Sequence, residues 1–281
     1  SIIEGIKASR CEKIIFHHND TEHLETILKE LPSHQPQIIV FESVYSMNGT
    51  TAPMEEIILL AKKYNCLTYV DEVHAVGLYG KDAGGIASQL QLQNGIDIIN
   101  GTLAKGFGVI GGYIAASKNI VDAVRSFGSG FIFTTSLPPA ICAAATKSIL
   151  IVSKDNSIRK NFHGKVALLR KIFRQYKIEF SENPSHITPV HIGNAKECKR
   201  IADKLLREFG IYVQPVNYPT VKKGEECLRI IVTAKHEEVD MLHLAESLRK
   251  VLTPLNPPEG KLSSANISYL ITTNKNLEKS I

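Results

Sequence analysis

The segment GTLAKGFGVIGGYI, residues 101–114, offers two incompatible chemistries. Gly106, Gly108 and Gly111 spell G-x-G-x-x-G, the spacing that lets backbone amides approach a dinucleotide pyrophosphate. Lys105 stands immediately before them, a single cation between a polar loop and the glycine run. The dinucleotide fingerprint must follow a strand and open a helix, with an acid about 20 residues on to hold a ribose. Here the glycines lead into GYIAAS, which is β-rich and lacks helical periodicity, and no such acid closes the motif. A G-x-x-x-x-G-K-S/T phosphate loop is absent as well. The lysine is the group left to explain.

Its partners come from YVDEVHAVG, where Asp71 ends a buried strand, the place at which open α/β sheets present catalytic groups. Alone, such an acid is as readily a helix cap or an ion-pair partner. With Lys105 after the next strand it composes a site for pyridoxal 5'-phosphate. A lysine holds that cofactor covalently, and an acid keeps its pyridine nitrogen protonated so that the ring absorbs the electrons of a carbanion. His74 is placed to reach the ring oxygen and Thr102 to donate to the phosphate. The run HHND, residues 17–20, invites a metal reading. Adjacent histidines on a strand point to opposite sides, so Asp20 or Thr21 capping the helix EHLETILKEL is the reading adopted, and no metal site is expected.

The elements that must position these groups alternate. QIIVFESVYS is a nearly continuous apolar run, as in a strand buried on both faces. After Pro53, MEEIILLAKKYN has helical spacing. CLTYVDEVH and IDIINGT read as strands, as do GGYIAAS and FIFTTS on either side of the helix KNIVDAVRSF. This alternation predicts an α/β fold with a mostly parallel sheet covered on both faces. PPAICAAATKSILIVS opens a long helical region that continues through RKNFHGKVALLRKIFRQYK. Beyond Asn183 come strands HITPVHIG, IYVQPV and LRIIVTA and helices AKECKRIADKLLREFG and EVDMLHLAESLRKVL. They predict a smaller C-terminal α+β domain with an antiparallel sheet. The division adopted is a large domain over 1–155, a small domain with its linking helix over 156–253, and a polar tail over 254–281.

Bulk properties narrow the function classes. In 281 residues, 43% hydrophobic and 22% charged side chains give a packed core rather than disorder. The net charge of +5 comes from Lys and Arg spread along the chain, which argues against a nucleic-acid partner. No apolar run is long enough to span a bilayer, so no membrane partner is expected. Five cysteines without C-x-x-C spacing favour a reducing compartment over a disulfide framework or a zinc site. A bacterial-type cytoplasm is expected, with the mitochondrial matrix as the alternative. The chain opens on Ser1 rather than Met and reads as a piece of a longer protein.

FESVYSMNGTTAP, YVDEVHAVGLYG, GTLAKGFGVIGGYI, GFIFTTSLPP and YVQPVNYPTV together resemble the α-oxoamine synthases, a fold-type I group of pyridoxal-phosphate enzymes. Glu72 and Val73 in DEVHAVG, with NYPTV and FTTSLPP, point to the 5-aminolevulinate synthase branch. The resemblance runs to about Leu252 and lacks the family's N-terminal segment. It implies an incomplete large domain of the seven-stranded PLP-transferase type. It also implies an acyltransferase that condenses glycine with succinyl-CoA to 5-aminolevulinate, CoA and carbon dioxide, the first step of haem (tetrapyrrole) synthesis. The enzyme would be a homodimer with its active site at the subunit interface.

Residue by residue, the resemblance makes Lys105 the Schiff-base lysine and the base for the glycine Cα proton. Asp71 would pair with the pyridinium nitrogen and His74 with the ring oxygen. Ser46 and Thr102 would line the cofactor site, and Thr134 and Thr135 would reach the phosphate of the neighbouring subunit. Arg229 would clamp the glycine carboxylate and Thr220 would touch the acyl substrate. Read from the residues alone, Ser46 is as readily a turn residue before Asn48-Gly49, and Arg229 a structural ion-pair residue. Two alternatives stand beside the main reading: a sister synthase using another amino acid or acyl-CoA, and a truncated chain without turnover. Ala104 precedes the lysine where relatives usually carry Gly, and Gly106 follows where Ala is common, a swap expected to be sterically tolerated.

Overall fold

The structure, a computed structural model, describes residues 2–252; the tail expected over 254–281 lies outside them. Helix α1 (Ile2–Ser9) precedes α2 (Thr21–Glu30), whose first turn is capped by Asp20 accepting the His23 amide at 2.8 Å. The cap expected of the HHND run is therefore present, and His18 turns to Thr50 instead, at 2.8 Å.

Strand β1 (Ile38–Glu42), helix α3 (Met54–Lys63), strand β2 (Leu67–Asp71), the short α4 (Ile86–Leu90) and strand β3 (Ile98–Thr102) follow in the alternating order expected. β1 and β2 pair in parallel with Glu42 opposite Asp71, and β2 and β3 pair in parallel with Asp71 opposite Asn100. Strand β4 (Gly112–Ala116) closes the four-stranded sheet antiparallel to β3, so the sheet is mostly parallel. Residues after Gly111 thus form a strand, the context that excludes a pyrophosphate-binding helix start. Val70, Ile39 and Phe41 lie buried with Ile57 and Ala61 of α3 in the core of this sheet.

FIFTTS, expected as a strand, is not one. α5 (Lys118–Phe127) runs almost directly into α6 (Ser129–Ile132), and the Gly128 carbonyl accepts the amides of both Phe131 and Ile132 at 2.9 Å. The sheet ends at β4 and these local bonds win, so the aromatic, β-prone composition does not decide. Likewise β1 stops at Glu42, four residues short of the expected strand end, because Tyr45 and Gly49 close a turn through Tyr45 N to Thr50 O and Gly49 N to Tyr45 O, both 2.9 Å.

α7 (Pro139–Lys154) and α8 (Asn156–Gln175) carry the chain to the second sheet. There β5 (Thr188–His191), α9 (Ala195–Phe209), β6 (Gln214–Val216), β7 (Cys227–Ile230) and α10 (Glu238–Leu252) build an antiparallel sheet in the order β5-β7-β6. Its core joins Leu169 and Phe173 of α8 to Leu205 of α9, Leu228 of β7 and Leu248 of α10. All five cysteines are free.

Candidate active site

Three parallel strands end side by side at Glu42, Asp71 and Thr102, and the loops leaving them carry the chemistry. After β2 the chain turns within a few residues, Ala75 and Val76 both donating their amides to the Glu72 carbonyl. This turn brings His74 over the sheet edge. After β3, Lys105 sits between Leu103 and Phe107, which are buried with Val76 and with Ala145 of α7. Ser148 of α7 donates to the Phe107 carbonyl at 2.7 Å. The lysine thus rides on a loop pinned at both ends.

That placement brings Lys105 Nζ within 2.9 Å of His74 Nε2. Burial, aided by Lys105 and then by His186 and Arg229, pushes His74 down to about 3. His74 is neutral at pH 7 and can accept from the ammonium. Burial of its amine end also lowers the pKa of Lys105, with Arg229 acting in the same sense and Asp71 and Glu42 opposing. Asp71 is itself buried, and one carboxylate oxygen accepts the Val73 amide at 2.9 Å.

Glu72, beside it, is fully buried and does a different job. Its carboxylate accepts the Ser43 hydroxyl at 2.5 Å and the Ala87 and Ile86 amides at 2.7 and 3.1 Å, tying the first turn of α4 to the sheet.

Of the other residues expected at the site, Thr102 lies at the end of β3, donating to the Gly111 carbonyl at 3.2 Å and accepting the Ala104 amide at 3.1 Å. Ser46 is in the turn after β1, and its carbonyl accepts Arg229 Nη1 at 2.9 Å across 183 residues of sequence. Arg229 comes from β7, and its Nε is buried with no partner. Thr134, Thr135 and Thr220 are exposed and make no side-chain bond to this group among the described residues; the Thr220 amide closes a turn onto the Asn217 carbonyl at 2.9 Å.

Two members of the cluster escape a motif reading. Glu42 carries the signal used for Asp71, an acid at a parallel strand end, and the FES of β1 contains it. His186 carries none: it precedes β5, is buried with its Nδ1 3.0 Å from the Tyr79 hydroxyl, and is pushed down to about 4 by burial and nearby cations. The glycine at 106 is accommodated, whereas the alanine common in relatives would not be in this loop. A Cβ there would stand 2.5 Å from the Val76 carbonyl oxygen, so this loop geometry accepts only glycine.

A lysine with lowered pKa, a buried strand-end acid, a neutral imidazole and a guanidinium with one unmatched donor have now been gathered at one sheet edge. Residues 1–248 match the model of the family "Aminotransferase class I and II". The chain belongs to this family. Among curated relatives of this aminotransferase-family chain is 5-aminolevulinate synthase of Bradyrhizobium diazoefficiens, 48% identical over 258 residues, covering 92% of the chain and 63% of the relative. That of Rhizobium meliloti is 50% identical over 251 residues, covering 89% and 62%. Among solved structures, serine palmitoyltransferase from S. paucimobilis with bound PLP and myriocin superposes with a TM-score of 0.84 at 28% identity, over 89% of the chain and 63% of that protein. An 8-amino-7-oxononanoate synthase from Francisella tularensis, at 24% identity and TM-score 0.75, shares the fold. The chain spans about 62–63% of the length of the curated relatives it matches.

Proposed function

We propose that this chain is the catalytic part of a PLP-dependent acyltransferase that condenses glycine with succinyl-CoA to give 5-aminolevulinate, CoA and carbon dioxide. The observation that carries the reading is the Lys105–His74 contact of 2.9 Å beside the buried Asp71. The relatives' names supply the substrates.

The residues fit the cofactor. Pyridoxal 5'-phosphate, when bound, supplies the electron sink that stabilises a carbanion at an amino-acid α-carbon. Lys105 would hold it covalently, Asp71 would face its pyridine nitrogen and His74 its ring oxygen, and Ser46 would line the site. Thr102, with Thr134 and Thr135 from a second subunit, would meet the phosphate. The lowered pKa of Lys105 favours a role in taking up and returning the glycine Cα proton. The unmatched Nε of Arg229 offers a donor to the glycine carboxylate, for which a guanidinium fork is the apt group. Thr220 would contact the acyl substrate.

We also infer a homodimer. Phe127, Phe131 and Phe133 are 85%, 51% and 86% exposed immediately before Thr134 and Thr135, a concentration of aromatic surface suited to an interface. The large and small domains, divided at 155/156, are supported by a core around each sheet, with Ile187 of the second part packing into the first core. A bacterial-type cytoplasm is in keeping with five free cysteines and bacterial relatives, and among the described residues no helix is long and apolar enough to cross a membrane.

Borohydride reduction after addition of pyridoxal phosphate, followed by peptide mapping, tests the reading. A pyridoxyl mass on Lys105, lost in Lys105→Ala, supports it. No label on this chain or on a version extended at its N-terminus would sink it. A second reading, a sister synthase with another amino acid or acyl donor, draws on the likeness to serine palmitoyltransferase. Comparing glycine, alanine and serine as substrates of the extended protein separates the two.

A further inference from the structure

Glu42 is a half-buried carboxyl that the chemistry above does not use. It ends β1 directly opposite Asp71, but it does not point its oxygens at the same target. Oε2 accepts the Ser46 amide at 2.9 Å and Oε1 accepts the Ser46 hydroxyl at 3.4 Å. Ser46 in turn offers its carbonyl to Arg229 Nη1 at 2.9 Å. A two-step relay therefore runs from the end of β1, through one turn, to β7 of the other core. It ends on the guanidinium whose Nε is buried and unpartnered.

Two observations argue that Glu42 does more than close a turn. The turn is already closed by its own backbone, through Tyr45 to Thr50, Gly49 to Tyr45 and a bridge between Val44 and Thr51. The carboxyl also carries a desolvation cost: burial raises its pKa, with Asp71 acting in the same sense and the Ser46 bonds and Lys105 opposing. A neutral side chain would fill the space at lower cost. What only an acceptor here can do is fix the Ser46 peptide, and with it the direction of the carbonyl that Arg229 grips.

We propose that Glu42 is a positioning residue for amino-acid substrate recognition: by holding the Ser46 peptide it sets the anchor of Arg229 and so aims the guanidinium at the substrate carboxylate. This rests on the reading of Arg229 as the carboxylate clamp.

The test is steady-state kinetics on the cofactor-loaded, full-length protein, with cofactor content and unfolding midpoint measured for every variant. Glu42→Ala is expected to raise the KM for glycine about tenfold, the equivalent of one lost hydrogen bond. The KM for the acyl-CoA and the cofactor content should stay at their starting values. Glu42→Gln keeps one acceptor oxygen and should give an intermediate rise, and it carries the test if Glu42→Ala does not fold. In the double variant with Arg229→Ala, the Glu42 substitution should add nothing, because both act through one contact. An unchanged glycine KM in the Glu42 variants, or full additivity with Arg229→Ala, overturns the proposal while leaving the clamp intact. An unchanged glycine KM in Arg229→Ala itself overturns the clamp, and this proposal with it.

Discussion

Gly77 and Gly106 meet backbone to backbone: a Cβ on Gly77 would stand 3.1 Å from the Cα of Gly106. This contact clasps the loop bearing His74 to the loop bearing Lys105. Gly77 also has φ +84°, a conformation that costs a side-chain-bearing residue about 1–3 kcal/mol. Gly77→Ala is expected to lose at least that much stability in urea unfolding. Gly164, exposed in the middle of α8 with open space around its Cα, should behave oppositely, Gly164→Ala gaining about 0.5–1 kcal/mol. Equal effects of the two substitutions would contradict the geometry.

The cations and anions around Lys105 act on it in opposite senses, Asp71 raising its pKa and Arg229 lowering it. Competitive acylation of Lys105 across a pH series should show this directly. The midpoint of its reactivity should move to lower pH in Asp71→Asn and to higher pH in Arg229→Ala. Shifts in the same direction would mean that these charges do not act on the amine.

Glu72→Ala removes the acceptor for three buried donors at once: the Ser43 hydroxyl and the Ile86 and Ala87 amides. Each orphaned donor costs about 1–3 kcal/mol, so a loss of 3 kcal/mol or more is expected, with a smaller loss in Glu72→Gln. Hydrogen exchange at the amides of Ile86 and Ala87 should accelerate in both variants. Protection as in the parent protein would show that the carboxylate does not hold the start of α4.

His186 is kept neutral in the fold, pushed down to about 4 from an ordinary 6.5, chiefly by burial. Between those values the unfolded chain binds a proton that the folded chain refuses. Its contribution is therefore complete above about pH 6.5 and falls by up to about 1.4 kcal/mol per unit as the pH drops below that. His74 acts in the same sense, while Glu42 and Glu72, whose pKa values burial raises, act in the opposite one. The informative quantity is consequently the difference between variants. His186→Gln should flatten the loss of stability between pH 7 and 5 relative to the parent, read from urea midpoints. A steeper acid loss in the variant would reverse the assignment.

The parts of this molecule legible in its sequence are those fixed by short-range pattern. The apolar runs QIIVFESVYS, CLTYVDEVH and IDIINGT mark the parallel strands, though not where the first two end, and the glycines after Lys105 read as a strand lead-in because no helical period follows. FIFTTS misled because its composition favours a strand, whereas its first residues close a helical turn onto the Gly128 carbonyl. The steric limit at Gly106 was hidden because the atom that imposes it, the Val76 carbonyl oxygen, belongs to another loop. His186 was equally hidden: a buried histidine before a strand looks like any other until the fold sets it against the Tyr79 hydroxyl.

Arg229 is anchored on a main-chain oxygen and not on a side chain. An acceptor of that kind is written into no codon. Residue 46 can drift through many identities without erasing it, provided the turn keeps its shape. Lineages descended from this chain could therefore exchange the hydroxyl at that position, retuning what lies near it, and still inherit an arginine aimed the same way.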